Sequence, residues 1–312
     1  KTQSCDYQNI LSGIASDNRG DIRMAAISQV FNAEEKQYSD KKAHPSAALE
    51  MNLAGFNMGI IQGNALESGA QSALDTANIL YQNGIQPVGV NAEKTAQALM
   101  VEQNGIRIAV VSYAEKLSNK AASALQSTAG LGILSMTEQD QLIRTIRDIK
   151  NQGCHCIIVY YQWSKTDVTQ VSDQMKKTAM DLTAAGADII VGTGPGRLLP
   201  AAKLHTNGDD GVEREALVLY SMGTLLSESR DGNDLSGALA HVNIRARGNG
   251  VNITGLSYTP TYIWRQSNQY RVINSAGEAP ADMSDSQKGV MERCKGRTDN
   301  ALSNMLQLEF GD

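Results

Sequence analysis

Apolar residues follow two alternating rhythms along the first two-thirds of the chain. Leu74, Ala77, Ile79, Leu80 and Tyr81 give an apolar face to a helix predicted over about 67–83, with Gly84 as its stop. Helices are also predicted over 46–54, ending at Gly55, and over about 172–184, ending at Gly186. A fourth, over 138–152, is opened by Thr137 and Asp140 and closed by Gly153. Between them lie short apolar runs at 56–61, 157–161 and 187–192, which read as buried strands. Residues 101–103, the turn Asn104-Gly105 and residues 106–113 carry a strong hairpin signal. From 215 onward the rhythm becomes that of strands, over 216–222, 239–247, 251–258 and 262–265, with a turn at Gly248-Asn249-Gly250. A helix over about 283–307 closes the chain.

Parallel βαβ units followed by an antiparallel section predict one mixed α/β domain, because no Pro-, Ser- or Gly-rich linker divides the chain. The stretch 116–132, rich in Ser, Ala, Asn and Gly, reads as a mobile loop over the edge of a site. At 312 residues the chain can bury a large core, and its net charge of −5 argues against a nucleic-acid groove or a polybasic membrane patch. No apolar run reaches the roughly 18–20 residues that span a bilayer. The first residue is Lys1 and no signal sequence is visible, so a processed or trimmed fragment is expected, with any anchor outside it.

Four cysteines occur, Cys5, Cys154, Cys156 and Cys294. Cys154 and Cys156 flank His155, but no second ligand pair follows at zinc spacing. Two residues apart in a strand, they read as small apolar groups on one buried face. Cys5 and Cys294 can pair only if the two ends of the chain meet. None of His44, His155, His205 and His241 has an evident orienting partner, and the last two fall in later strands, away from the strand ends considered next.

Ligands of open α/β sheets sit beyond the carboxyl ends of strands. Those positions are Ser28 and Gln29, Gln62-Gly63-Asn64, Gln162-Trp163-Ser164, the loop Thr193-Gly194-Pro195-Gly196-Arg197, and Gly223-Thr224. They are amide, hydroxyl and glycine almost throughout. Such a set can hydrogen-bond a ligand but offers no nucleophile with its base and no carboxylate pair. The glycine loop reads poorly as a phosphate cradle. Its spacing is Gly-X-Gly-X-Gly, Pro195 removes a donor, and Pro200 argues against a following helix.

At these positions the chain resembles the bacterial capsule-synthesis CapA/PgsA family, associated with poly-γ-glutamate production. The resemblance covers roughly residues 5–275. It rests on Leu53-Ala54-Gly55-Phe56-Asn57, Asn104-Gly105-Ile106-Arg107-Ile108-Ala109, Ala185-Gly186-Ala187-Asp188, Tyr220-Ser221-Met222-Gly223 and Tyr258-Thr259-Pro260-Thr261-Tyr262 followed by Tyr270-Arg271-Val272. It implies a calcineurin-like metallophosphoesterase scaffold, α/β with layered sheets flanked by helices, over residues 1–275, and a helical extension over 276–312. The family's first strand, with its Gly-Asp, would lie before Lys1. Where the family has Asn-Asn-His this chain has Gln62-Gly63-Asn64, and for His-Trp-Gly it has Gln162-Trp163-Ser164. Gly-His-His-Pro-His becomes Gly192-Thr193-Gly194-Pro195-Gly196, Leu-Gly-Asn becomes Met222-Gly223-Thr224, and a family acid falls on Gln29.

Every matched histidine is replaced, while Gly69, Trp163, Gly192, Pro195 and Gly223 remain. Amides are weak neutral ligands beside imidazole and carboxylate. The expectation is a non-catalytic relative without metal or cofactor. Its vestigial cleft of Gln29, Asn64, Glu67, Gln162, Trp163, Thr193, Gly194, Gly196, Arg197 and Thr224 would bind an anionic polymer or glycan, with an exposed Trp163 as platform. The alternative within that cleft is a Trp163 buried in the core and polar groups that only satisfy loop backbone. A surviving metallohydrolase or polymer-modifying enzyme would need ligands such as Asp167, Glu67 or Asp188, or residues upstream. Other capsule-synthesis proteins are implied as partners, and the family implies an extracellular or cell-surface location.

Overall fold

Nineteen principal elements build four layers in a computed structural model that describes residues 7–34, 41–91, 98–127, 132–133, 139–166, 168–208, 210–227, 231–266 and 269–310. The first half contains β1 (Met24–Ile27), α1 (Ser46–Leu53), β2 (Met58–Ile61), α2 (Asn64–Glu67), α3 (Ala70–Gln82), β3 (Gln86–Val88), β4 (Leu99–Gln103), β5 (Ile106–Ala114) and α4 (Asn119–Ser127). Then follow α5 (Gln139–Asn151), β6 (Cys156–Gln162), α6 (Asp173–Ala185), β7 (Ile189–Thr193), β8 (Leu198–Asn207) and β9 (Glu213–Met222). The last part holds β10 (Ser236–Arg247), β11 (Gly250–Gln266), β12 (Gln269–Asn274) and α7 (Asp285–Leu302).

A six-stranded sheet runs in the order β8-β9-β7-β6-β5-β4, with its four inner strands parallel and both edge strands antiparallel to their neighbours. Its outer face carries Val111, Val159, Tyr161, Ile190 and Val218 against α5 and α6. Its inner face carries Ile108, Val110, Ile158 and Ile189 against Met58 and Ile60 of β2. Coverage on both faces explains why β6 reads as an unbroken apolar run. Two three-stranded sheets form the third layer, β1-β2-β3 in parallel and β10-β11-β12 in antiparallel order. Helices α1 and α3 cover the far side through Ala48, Met51, Ala73 and Leu80.

Local chemistry sets the element ends. Asn104 and Gly105 both hold positive φ, at 51° and 76°, as the two-residue hairpin turn between β4 and β5 requires. Ser172 caps α6 by accepting from Met175 N at 3.2 Å, and Gly186 ends it at φ 118°. Ser284 and Gln287 form a reciprocal capping box on α7. That helix packs Met291 and Cys294 beside Tyr262 and Trp264.

Several expectations need correction. The predicted helix over 67–83 is two helices, broken at Gly69. The stretch read as a mobile loop contains α4, over Asn119–Ser127. Strand β8 was not expected, because Pro200 discouraged any regular element there. It is an edge strand, where a missing N–H costs no ladder bond. Pro260 likewise fails to interrupt the 17-residue β11, since it lies one residue beyond the β12 ladder, whose last pair is Thr261 with Asn274. Cys154 and Cys156 are both buried, yet they enter opposite cores, because Cys154 precedes the strand and escapes its alternation. Cys5 and Thr137 lie outside the described residues.

In α5, Leu142, Ile146 and Ile149 form the buried stripe and Arg144 faces solvent. Truncating Ile146→Ala is expected to cost about 2–5 kcal/mol in urea-denaturation stability. Arg144→Ala is expected to stay within about 0.5 kcal/mol.

Candidate functional site

Three strand ends converge where the parallel strands finish. Gln162 closes β6 and pairs in register with Thr193, the last residue of β7, while Gln62 follows directly on β2. Thr193 Oγ1 donates to Gln62 Oε1 at 2.6 Å. Gly63 N donates to Gln162 Oε1 at 2.8 Å. Gln62 Nε2 points at Ser112 Oγ, Tyr113 O and Tyr160 O, at 3.4, 3.4 and 3.5 Å. Gln62 is only 2% exposed. The amides predicted to meet a ligand therefore meet each other and the backbone first.

Trp163 is not a platform. It is 3% exposed, and its indole Nε1 donates to Tyr220 O at 3.1 Å. The ring lies over Gly192, where a Cβ would collide with both Tyr220 O and the indole nitrogen. Its neighbours are the rings of Tyr161, at 4.4 Å between centroids, and Tyr220, at 6.2 Å. Burial pushes the Tyr220 phenol up to about 12. The exposed tryptophan expected from sequence is corrected to an anchor for three strand ends.

The remaining residues separate by location. Gln29, Asn64, Glu67, Gln162, Thr193, Gly194, Gly196 and Thr224 line one cavity of about 940 Å³, together with the inner edge of Trp163. Thr224 Oγ1 donates to Gly196 O at 2.9 Å, and Glu67 Oε1 accepts from Ser118 N at 2.9 Å. Arg197 does not join them; its guanidinium turns to Asp231 at 3.6 Å. Asp188 precedes β7 at the opposite end of the sheet, where it pairs with Lys150 at 3.2 Å and accepts from Ile157 N. It cannot serve as a ligand at the strand ends. Asp167 lies outside the described residues.

His241, set aside in the sequence as lying in a later strand, lines the same cavity. Its Nε2 sits 2.9 Å from Thr259 Oγ1, and burial pushes the imidazole down, with the charge of Asp17 opposing. Only the pairing of β10 brings it there, so nothing in the local sequence signals it. His155 Nδ1 accepts from Arg107 N at 2.9 Å, and His205 Nδ1 lies 3.2 Å from Glu215, both away from the cavity.

Among the described residues no three His, Cys, Asp or Glu side chains gather as a cation site. The amide oxygens of Gln62 and Gln162 are already accepting hydrogen bonds. Neutral oxygens so engaged do not suit a transition-metal ion. The donor set thus fits hydrogen-bond recognition and does not fit a resident metal.

Fold and site together define a layered α/β protein with neutral polar groups at its strand ends. The chain belongs to the bacterial capsule synthesis protein family PGA_cap, whose model matches residues 1–229. It is 24% identical over 225 residues to the capsule biosynthesis protein CapA of Bacillus anthracis, covering 69% of this chain and 52% of that protein. To the PGA biosynthesis protein CapA of Bacillus subtilis (strain 168) it is 22% identical over 204 residues, 64% of this chain and 50% of that one. The matched regions span about half the length of these relatives. Among solved structures, the calcineurin-like phosphoesterase YfkN of Bacillus subtilis aligns at TM-score 0.44 and 14% identity, covering 82% of this chain and 74% of that one. The NAD nucleotidase of Haemophilus influenzae aligns at 0.44 and 14%, covering 83% and 49%. These likenesses concern the fold alone.

Replacing Thr193→Val strips the donor from the buried Gln62 oxygen. The expected cost is about 1–3 kcal/mol in denaturant unfolding. Adding Gln62→Leu should recover part of that loss, so a double-mutant cycle reads a coupled pair instead of two additive losses.

Proposed function

We propose that this chain is a non-catalytic binding or scaffolding module of capsule or poly-γ-glutamate metabolism at the cell surface. Membership of the capsule-synthesis family supports the setting. The observation that carries the non-catalytic part is the closed Thr193–Gln62 and Gly63–Gln162 bonding. General acid or base chemistry needs a titratable group poised at the reacting atoms. These positions hold amides and a hydroxyl instead. Among the described residues no helix is long and apolar enough to cross a membrane.

The ligand would be an anionic polymer or glycan, met at the mouth of the cavity. Gln29 and Asn64 have side chains with no hydrogen-bond partner among the described residues, and the exposed Lys116 adds a positive charge beside them. A glutamyl chain presents carboxylates for the lysine and amides for the two side chains. Other capsule-synthesis proteins are the partners this role implies, and nucleic acid is not.

Titration calorimetry with γ-glutamyl oligomers at low salt tests the reading. Heat of binding is expected for the parent chain, with affinity lowered roughly tenfold by Lys116→Glu, about 1.4 kcal/mol. Absence of binding to the parent, or equal binding by the variant, would count against the polymer site.

A further inference from the structure

The two three-stranded sheets each end on an unpaired edge, and the two edges face one cavity. Strand β1 has a ladder only to β2, and β10 has one only to β11 apart from a single bridge between Gly237 and Gly223. Arg23 O and Ile27 O accept from β2, which turns the polar backbone of Met24 and Ala26 away from it. Leu235 O accepts from β11, so the backbone of Ala238, Ala240 and Val242 also turns outward. All five of these residues line the cavity of about 940 Å³. Buried backbone edges of this kind call for pairing.

The side chains on the two edges share the same two faces. Ala25 and Ile27 of β1 and Leu239 of β10 join the core beneath α1 and α3. Met24 of β1 and Val242 and Ile244 of β10 join the core on the inner face of the six-stranded sheet. Two sheets with the same inside and outside, separated by a slot, are two halves of one sheet.

The slot has the dimensions and surfaces of one strand. Seven residues of β10, from Ala238 to Ile244, line it, which corresponds to roughly 20 Å of extended chain. One wall offers Leu11, Met51 and Phe56, and the opposite wall offers Ile106, Ile158 and Ile189. An occupant would be apolar on both faces and would present N–H and C=O groups on both flanks. Polypeptide in the extended conformation supplies that combination, whereas an acyl chain would leave both edges unsatisfied.

We propose that this slot takes one extended, mostly apolar strand that joins the two halves into a seven-stranded sheet, supplied by polypeptide joined on the N-terminal side of Tyr7. Tyr7, Ile10 and Leu11 already line the slot, so a segment from that side has little distance to cover. Lys1–Asp6 has five polar residues of six and cannot itself be the apolar run. The strand would run parallel or antiparallel to β1, and one of its ends would stop beside Gln62, Gln162 and Thr193. Whatever residue stands there would add its chemistry to the cluster.

The test grafts a seven-residue Val/Ile strand and a flexible Gly-Ser linker ahead of Lys1 in the 312-residue chain, beside the same graft with Pro at alternate positions. Amide hydrogen exchange at Met24, Ala26, Ala240 and Val242 is the readout. The graft is expected to slow these amides by roughly tenfold or more, and the proline graft to leave them unchanged. Equal rates in the graft and the ungrafted chain, or equal protection by the proline graft, would overturn the strand. Equal protection by decanoate would also overturn it, as an apolar-ligand pocket would behave that way. Protection by the free peptide but not by the graft would overturn the N-terminal source.

Discussion

The indole of Trp163 occupies the space a side chain on residue 192 would need, and it reaches across Gly192 to the carbonyl of Tyr220. Residues 163, 192 and 220 belong to three neighbouring strand ends, so this one contact locks β6, β7 and β9 in their relative heights. The backbone adds to it, because Trp163 N donates to Thr193 O at 2.9 Å. With those ends fixed, Thr193 stands within reach of Gln62, and Gln162 within reach of Gly63. A larger residue at 192 would displace the indole, the ladder ends and the amide cluster together.

That lock explains why the loop scaffold and its chemistry can be separated. Glycine at 192 and tryptophan at 163 answer to sterics, and they are kept in this chain where the resemblance to the capsule-synthesis family places them. The polar positions answer to whatever the cavity holds. Here they carry neutral groups whose oxygens bond one another. Such a cluster is stable without any ligand, since each buried acceptor has its donor. A site designed around a cation would instead leave several oxygens or nitrogens aimed at a common point. The same cavity continues away from the cluster into the slot between the two half-sheets, so the strand ends and the slot form one continuous feature.

Much of the fold was legible in the residue pattern. The parallel strands β6 and β7, helices α5 and α6, and the Asn104-Gly105 hairpin each carry a local signal in period, cap or turn. What failed locally was decided by position in the sheet. Pro200 is compatible with a strand because β8 is an edge, and that depends on pairing with β9 across a turn. Cys154 and Cys156 part company because the strand begins only at Cys156. The site residues themselves were legible from the rule that strands end where ligands sit, and most of them do line one cavity. Their orientation was not. Trp163 is buried by a glycine 29 positions later, Arg197 is drawn aside by Asp231, and His241 arrives through a hairpin. No window of neighbouring residues contains those facts.

The claim that the strand ends hold no metal chemistry of their own is tested most directly by metal content. Residues 1–312 would be equilibrated with Mn²⁺ and Zn²⁺, dialysed against metal-free buffer and analysed by inductively coupled plasma mass spectrometry. Well under one ion per chain is expected, because the available oxygens are neutral and engaged. One retained equivalent, lost on replacing Gln62 or Gln162 with Ala, would contradict the account.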